Sequence, residues 1–464
     1  MLKLYNSLSN QKETFTPIEA GKIKMYVCGM TVYDHCHLGH ARVMVAFDVV
    51  YRYLSSMGFD VTYVRNITDI DDKIIARANE NGEAFLTLVE RFVDAMHEDE
   101  KALGIHPPSH EPRATQNIPE IISMITTLID KGYAYQGKSG DVYYDVSKFA
   151  DYGKLSGRNT EDLRSGERVA VDTDKDDPLD FVLWKMAKPN EPFWDSPWGQ
   201  GRPGWHIECS AMSTKLLGAH FDIHGGGHDL QLPHHENEIA QSEACTSEHF
   251  ANYWLHNGFI RVDSEKMSKS LGNFFTIREV MQKYKAEDIR YFMLTSQYRS
   301  PLNYSDKQLD SAHAALTRLY TALRGVDSEN AEAADLSDYS ERFHKAMQDD
   351  FNTPEALSVL FDIAKDLNQV KTEADPVRAA SIAALLKQLA QPLGLLTQDS
   401  EVWFKGTDNS AEGLADNEID DLIEQRKQAR LDKNWAEADR LRDVLNDNKI
   451  IIEDASGVST WRRA

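Results

Sequence analysis

Segments that alternate between strand and helix dominate the first half of the chain, and this alternation restricts the fold more than any other feature. Three short apolar segments predict strands, at residues 22–28, 61–64 and 221–224. Helical patterns follow them, one through 49–57, one over 72–103 and one over 234–244. Repetition of strand, loop and helix indicates an α/β fold with a parallel sheet covered on both faces.

Chemically useful residues follow these strands at their carboxyl ends. Cys28 ends the first strand, residues 37–40 lie in the loop and helix start after it, and glycines occupy 225–227 after the third strand. Because ligands of open parallel sheets bind at the carboxyl ends of the strands, we expect the functional site at this edge of the sheet.

The rest of the chain differs in composition from this pattern. Residues 115–200 are rich in Asp, Gly, Pro and Trp, 305–397 carry long amphipathic helical runs, and 398–417 are polar. Two further helices and a hairpin are predicted near the end, with strands at 450–452 and 459–461. We predict a Rossmann-type catalytic domain at 1–114 and 201–255, a connective insertion at 115–200, a loop region at 256–304, an α-helical bundle at 305–397, a linker at 398–417 and a small mixed α/β domain at 418–464.

Composition excludes several classes of protein. No run of about 18 apolar residues occurs and the first residues lack the apolar core of a signal peptide, so we expect no membrane partner. Four cysteines in 464 residues fit a reducing cytoplasm. The net charge of −23 argues against nonspecific affinity for nucleic acid, but the last 44 residues carry nine basic and nine acidic side chains. A local nucleic-acid contact in this neutral tail is therefore compatible with the composition.

Two short motifs, 229 residues apart, suit the same chemical task. Residues 37–40 (HLGH) place two imidazoles three positions apart on one face of a helix start. The N–H groups and dipole at a helix start favour phosphate. Residues 266–270 (KMSKS) add Lys266 and Lys269 on a loop, where their charges could stabilise a transition state. Together the motifs predict binding of the ATP triphosphate while its α-phosphorus is attacked.

A metal site is a further hypothesis. His234 and Glu238 are four residues apart and share one face of a helix. With Cys28 and Cys209 they would offer the sulfur, nitrogen and oxygen donors that Zn²⁺ accepts in a tetrahedron. The alternative is two buried thiols and a surface helix, since the cysteine spacings match no zinc ribbon or finger.

The two motifs are similar to the two signatures of class I aminoacyl-tRNA synthetases. Four other segments resemble the cysteinyl-tRNA synthetase family specifically, namely 25–29 (MYVCG), 66–73 (NITDIDDK), 201–210 (GRPGWHIECS) and 233–238 (PHHENE). The likeness covers nearly the whole chain, including 349–354 and 460–463. Met30, where proline is common, and His228, where a smaller or apolar residue is usual, depart from the pattern at positions without a chemical role.

The resemblance implies roles for individual residues of this chain. The implied zinc ligands are Cys28, Cys209, His234 and Glu238. The implied ATP contacts are His37, Gly39, His40, Asp229 and Lys269, and the implied catalytic group is His37, His40, Lys266 and Lys269. The implied amino-acid pocket consists of Thr68, Trp205, His206 and His224. The implied anticodon contacts are Arg430, Trp435, Asp439 and Asp454.

The implied activity is the ATP-dependent ligation of L-cysteine to tRNA(Cys) through a cysteinyl-adenylate. One Zn²⁺ per chain would select the substrate thiolate, and Mg²⁺ would accompany ATP. We expect a cytoplasmic monomer whose partners are ATP, L-cysteine and tRNA(Cys). A ligase that joins cysteine to a sugar amine would have no use for the C-terminal tail. A zinc-dependent RNA-binding or sensor protein would not need residues 266–270.

Overall fold

The computed structural model describes residues 1–159, 174–262, 265–266, 274–405, 414–455 and 458–463, with the backbone alone at 266, 453–455 and 458. It confirms the predicted fold class: a parallel-sheet α/β domain with an insertion, then a helical region and a small mixed α/β tail. Of the helices described in these ranges, none is both long and apolar enough to cross a membrane.

Strands and α-helices, each numbered in chain order, make up the regular structure of the described residues. The strands are β1 (Lys3–Asn6), β2 (Gln11–Thr14), β3 (Lys22–Val27), β4 (Asp60–Arg65), β5 (Ala134–Gln136), β6 (Val142–Tyr144), β7 (Phe181–Met186), β8 (Gly201–Pro203), β9 (Phe221–Gly227), β10 (Ala251–Asn257), β11 (Ile260–Val262), β12 (Glu265–Lys266), β13 (Leu302–Tyr304), β14 (Ile450–Ala455) and β15 (Val458–Arg463). The α-helices are α1 (Leu38–Ser56), α2 (Asp72–Asn81), α3 (Phe85–Ala102), α4 (Ile118–Asp130), α5 (Trp205–Leu217), α6 (Glu236–Thr246), α7 (Ile277–Met281), α8 (Ala286–Leu294), α9 (Asp306–Leu323), α10 (Ser337–Met347), α11 (Thr353–Thr372), α12 (Pro376–Ala390), α13 (Ser400–Lys405), α14 (Asp416–Leu431) and α15 (Trp435–Asp447).

The central sheet has four parallel strands in the order β10-β9-β3-β4. Residues 221–226 of β9 are all buried, and because successive side chains point to opposite faces, both faces of the strand are covered. On one face, a Cβ at Gly225 would lie 2.3 Å from the Phe47 ring of α1. On the other face, His224 stacks on Trp254 of β10. Strand β9 therefore lacks the hydrophobic alternation of a strand in a half-exposed sheet.

The insertion forms an antiparallel sheet together with β8, which directly follows it, in the order β5-β6-β7-β8. Its core residues Leu183 and Trp184 pack with Ile207 of α5 and Ala240 of α6 in one hydrophobic cluster. Because α5 and α6 also carry Cys209 and Glu238, the insertion supports the helices on which two of the predicted metal ligands lie.

A third sheet, in the order β12-β11-β13, leads into the second signature. Strand β11 pairs antiparallel with β12 and parallel with β13. Strand β12 ends at Lys266, the first residue of the 266–270 motif.

The chain forms two compact units. The first consists of residues 1–314, 336–359 and 392–395, and the second of 315–335, 360–391 and 396–464. Within the second unit, α14, α15, β14 and β15 surround a small core of Ile419, Ile423, Leu445, Ile450 and Trp461. The indole Nε1 of Trp461 donates to Asp420 Oδ1 at 2.7 Å, so the buried ring also satisfies its polar atom.

Several predicted elements differ in detail from the structure. The single helix predicted over 72–103 is wrong: α2 ends before Gly82, whose φ of 68° is left-handed, and α3 begins at Phe85. The terminal hairpin is confirmed, with Ile452 opposite Trp461. Strand β10 is absent from the sequence prediction, although it forms one edge of the central sheet. The predicted linker at 398–417 includes α13, whose Trp403 stacks on Tyr320. The predicted domain boundaries stay predictions.

We expect Trp461→Ala to lower the free energy of unfolding of the tail by about 3–5 kcal/mol, because the substitution removes a large buried ring from a small hydrophobic core. Leu431→Ala, at a side chain that is 69% exposed, should change it by less than about 0.5 kcal/mol. Urea denaturation followed by tryptophan fluorescence and circular dichroism measures both variants. Equal destabilisation by the two substitutions would contradict the assignment of Trp461 to the core.

Candidate active site and metal centre

His37 and His40 form the first turn of α1. The His40 backbone N–H donates to His37 Nδ1, and the His37 N–H donates to His40 Nδ1, both at 3.3 Å. The two rings stack with centroids 3.6 Å apart. Because each Nδ1 accepts a hydrogen bond, the proton of each neutral ring is on Nε2. The turn therefore places two imidazole donors beside the positive end of a helix dipole.

The chain that follows the second signature is hydrogen-bonded to residues 36 and 38, at the first signature. Leu38 N donates to Phe275 O at 3.1 Å, and Ile277 N donates to Cys36 O at 2.9 Å. The Phe274 ring meets His37 edge-on at 5.0 Å. Lys269 and the Lys266 side chain lie outside the described residues, so their predicted roles stay predictions. Of the flanking residues, Lys266 ends β12, and Thr276 lies opposite His37 in an isolated bridge.

A cavity of about 350 Å³ joins the first signature to the predicted metal site. His37, Gly39 and His40 line it together with Cys28, Trp205 and Asp229. Residues 257–260, between β10 and β11, form a further part of its wall. Four of the five predicted ATP contacts and two further predicted site residues thus share one cavity; the fifth ATP contact, Lys269, lies outside the described residues.

The predicted metal ligands converge in the interior beside this cavity. One donor atom from each of Cys28, Cys209, His234 and Glu238 lies within 4.8 Å of the others. The two Sγ atoms are 3.7 Å apart, Cys28 Sγ lies 3.2 Å from Glu238 Oε1, and His234 Nε2 lies 3.1 Å from the same oxygen. All four side chains are at least 94% buried. The structure therefore favours the metal hypothesis over two separate thiols and a surface helix.

The charges of this cluster also fit a divalent cation. Burial raises the pKa of Glu238, but His224 and His234 outweigh this effect and hold the pKa well below its usual range. Burial likewise opposes the shift of Cys209, yet Cys28 and His234 lower its pKa to about 6. Burial, Cys209 and Glu238 raise the pKa of the Cys28 thiol well above its usual range.

Among the described residues, histidine is the only basic side chain in contact with this cluster. Burial lowers the pKa of His234, but Glu238 and Cys209 outweigh this effect and raise the pKa to about 10. Bound protons thus compensate the negative charge of the buried carboxylate and thiolate in this cluster. A bound divalent cation would take their place, since thiolate and neutral imidazole are the forms that bind metals.

Three further histidines surround the four donors. His224 Nε2 lies 2.8 Å from Glu238 Oε2, and His206 Nδ1 lies 2.8 Å from His234 Nδ1. His235 is fully buried and its Nδ1 lies 2.8 Å from His256 Nε2. Cys28, His224, His235 and Glu238 form a second group of donors within 4.8 Å of one another. Partners of this kind orient metal ligands in other metal sites.

The predicted amino-acid pocket is only partly at the cavity surface. Trp205 is 40% exposed and lines the cavity, with its ring 4.4 Å from the His234 ring. Thr68 is 2% exposed, and its Oγ1 donates to Glu208 Oε2 at 3.0 Å. His206 and His224 lie against the metal donors, and their predicted role in the pocket stays a prediction.

The predicted anticodon contacts lie in the tail. Trp435 begins α15 and is 60% exposed, which argues against a role in helix packing. Asp439 follows one turn later, and Arg430 lies near the end of α14; both are exposed. The Asp454 side chain lies outside the described residues. An exposed ring at a helix start is available for stacking with a base.

Sequence analysis did not identify His235, His256 or the cavity wall at 257–260. His235 is fully buried. The short apolar segment 253–255 (YWL) would have indicated the missing strand β10, which carries His256 opposite Gly226.

Comparison with protein families and solved structures identifies the class. Residues 14–314 match the family model described as the tRNA synthetases class I (C) catalytic domain. The solved structures that resemble the chain include a methionyl-tRNA synthetase from Mycobacterium tuberculosis, with a TM-score of 0.58 at 15% identity over 80% of this chain and 91% of that one. A leucyl enzyme (LeuRS) from Agrobacterium radiobacter has a TM-score of 0.59 at 12% identity, covering 84% and 85%. The chain is a class I aminoacyl-tRNA synthetase, a ligase.

Two further matches and the full-length relatives identify the family. Residues 342–397 match the DALR domain, and 414–462 match the cysteinyl-tRNA ligase anticodon binding domain. Cysteine–tRNA ligases from Thioalkalivibrio sulfidiphilus and Methylococcus capsulatus are 64% and 62% identical over the full length of both chains. The chain belongs to the cysteine–tRNA ligase family.

We expect Cys209→Ala to weaken zinc binding by more than about a hundredfold, because it removes one of four donors. Cys36→Ala is the matched control: Cys36 is equally buried but contacts Met30 Sδ at 3.4 Å rather than the cluster. Competition with a chromogenic chelator measures both affinities. Equal zinc affinity in the two variants would contradict the assignment of the site.

Proposed function

We propose that the chain ligates L-cysteine to tRNA(Cys) through a cysteinyl-adenylate, in two steps that use ATP. The observation that carries the proposal is that Cys28 of the metal cluster and the stacked pair His37 and His40 line one cavity. A thiol-selecting centre and a phosphate-binding helix start thus lie within reach of one small substrate.

In the first step, the cysteine carboxylate attacks the α-phosphorus of ATP and pyrophosphate leaves. The Nε2–H groups of His37 and His40 donate to phosphate oxygens as negative charge develops on these oxygens. The backbone N–H groups at the start of α1 stabilise the same charge. Lys266 and Lys269 supply positive charge from the second signature, and Mg²⁺ accompanies ATP as part of the substrate. The rate derives from orientation and electrostatics, without a nucleophilic side chain.

Selection of cysteine over serine is assigned to the four-donor cluster. Shape alone separates such similar side chains by only about 1–3 kcal/mol. Cys28, Cys209, His234 and Glu238 would hold one Zn²⁺, which favours thiolate over hydroxyl as a further ligand. Trp205 closes the side of the pocket, and His224 and His206 orient Glu238 and His234 through contacts of 2.8 Å.

The remaining predicted contacts position the two other substrates. Asp229, at the cavity wall after β9, would accept a hydrogen bond from the ATP ribose. In the second step, the terminal ribose hydroxyl of tRNA attacks the adenylate. The tail would bind the anticodon by stacking a base on Trp435 and by polar contacts from Arg430, Asp439 and Asp454. We propose that the enzyme acts in the cytoplasm as a monomer.

We expect wild-type protein to catalyse cysteine-dependent exchange of pyrophosphate into ATP, and to transfer cysteine but not serine to tRNA. His40→Asn should lower the exchange rate by about 100- to 1000-fold, because a phosphate donor is lost while an acceptor for His37 N remains.

His313→Ala is the control, since His313 lies next to Asp288 and outside the cavity. Its exchange rate should stay within about twofold of wild type. Absence of cysteine-dependent exchange in zinc-loaded, folded wild type would refute the proposed function.

We expect Trp435→Ala to weaken tRNA binding by about 1–3 kcal/mol through loss of one stacked base. Trp435→Phe should retain most of the affinity, since a ring remains. Pyrophosphate exchange should be unchanged in both, because it does not require tRNA. Filter binding and aminoacylation kinetics measure the difference; an alanine variant with wild-type tRNA affinity would exclude a role for Trp435.

A further inference from the structure

Arg42 is a buried cation close to the first signature. It lies on α1 two residues after His40 and is 2% exposed. Its Nη1 donates to Met293 O, and its Nη2 lies 3.0 Å from Gln297 O, 3.3 Å from Ser300 O and 3.4 Å from Ser296 O. Within the described part of the chain, its hydrogen-bond acceptors are main-chain carbonyls and not carboxylates. Burial accordingly lowers the pKa of Arg42 to about 10.

These carbonyls belong to the end of α8 and to the turn that follows it. Helix α8 ends at Leu294, and its C-terminal carbonyls carry the negative end of the helix dipole. A guanidinium at this position compensates that dipole and orders four carbonyls of residues 293–300 at once. Arg42 therefore joins the first turns of α1 to the 293–300 segment.

The 293–300 segment in turn supports a wall of the cavity. Gly258 N donates to Tyr298 O at 2.8 Å, and Leu302 N donates to Phe259 O at 2.9 Å. A Cβ at Gly258 would lie 2.5 Å from Ser300 O, so the two backbones are in close contact. Any shift of this turn would therefore move the wall at 257–260, which lines the same cavity as the His37–His40 turn.

The wall continues into the second signature. Strand β11 follows it directly and pairs with β12, which ends at Lys266. Strand β13, which follows the 293–300 segment, pairs with β11 in parallel. The contacts of Arg42 thus connect the helix that carries His40 with the sheet from which the second signature starts.

We propose that Arg42 is a positioning residue for ATP, which fixes the distance between the His37–His40 turn and the wall at 257–260. The inference rests on the proposed function for its substrate. The metal donors lie on the end of β3, on α5 and at 234–238, and Arg42 donates to none of these segments. Loss of Arg42 should therefore affect ATP and leave cysteine recognition intact.

A second buried arginine joins the same two helices and provides a matched control. Arg290 of α8 pairs with Asp48 of α1 and donates to Leu393 O at 2.8 Å and Leu103 O at 3.2 Å. Its guanidinium makes no hydrogen bond to residues 293–300 in the described structure. Asp48 keeps Arg52, at 2.7 Å, when Arg290 is replaced. Arg290→Met thus tests helix–helix stability without releasing the turn.

The test compares Arg42→Lys, Arg42→Met and Arg290→Met. We expect Arg42→Met to raise the Kd of ATP, measured by calorimetry, and the ATP KM of pyrophosphate exchange by about ten- to a hundredfold. Arg42→Lys should give an intermediate increase, because one amine reaches fewer carbonyls than a guanidinium. Cysteine KM and zinc content should stay within about twofold in both. Arg290→Met should lower Tm and leave the ATP parameters within the same twofold limit.

Each outcome decides for or against the inference. Parallel increases in cysteine and ATP KM, or an ATP change in Arg290→Met as large as in the Arg42 variants, would show a merely structural role. If Arg42→Met does not fold, the Arg42→Lys values decide. If wild type binds ATP but does not exchange pyrophosphate with cysteine, the proposed function fails, and the calorimetric comparison still decides the role of Arg42. Wild type that does not bind ATP would overturn both.

Discussion

The register between β3 and β9 is the constraint on which the functional site depends. Tyr26 lies opposite His224 and Val27 opposite Gly225, and Cys28 N donates to Gly225 O at 3.0 Å. His224 is thereby directed towards Glu238. A slip of one residue would turn each of these side chains to the other face of the sheet and separate Cys28 from its neighbours. The donor cluster is thus a consequence of strand pairing in the core.

Burial gives this cluster its chemical character. Two thiols and a carboxylate lie in the interior, where charge is costly unless it is compensated, and the described residues that contact them supply imidazoles rather than lysine or arginine. Glu238 consequently has a lowered pKa and His234 a raised one. Either bound protons or a bound cation can compensate the negative charge of this donor cluster. Its charge and its geometry together therefore favour a metal centre.

The two signatures depend on different kinds of contact. The His37–His40 turn is local, because the two residues cap each other through their own Nδ1 atoms and backbone N–H groups. Its position relative to residues 275–277, which follow the second signature, is not local. It follows from backbone hydrogen bonds at Leu38 and Ile277 and from a buried arginine that orders the turn after α8. Tertiary contacts thus bring the first signature and the residues that follow the second signature together.

The strand–helix alternation, the signatures and the tail hairpin were predictable because periodicity and capping are properties of neighbouring residues. The helix break at Gly82 and the strand β10 also have local signals, a glycine and a short apolar segment, whereas the burial of His235 depends on residues distant in sequence. Sequence by itself determined the fold class, the family and the residue types available for chemistry. Only the tertiary structure decided that Cys28, Cys209, His234 and Glu238 meet, and that Arg42 contacts main-chain carbonyls, because close approach in a packed core is set by strand register and helix packing.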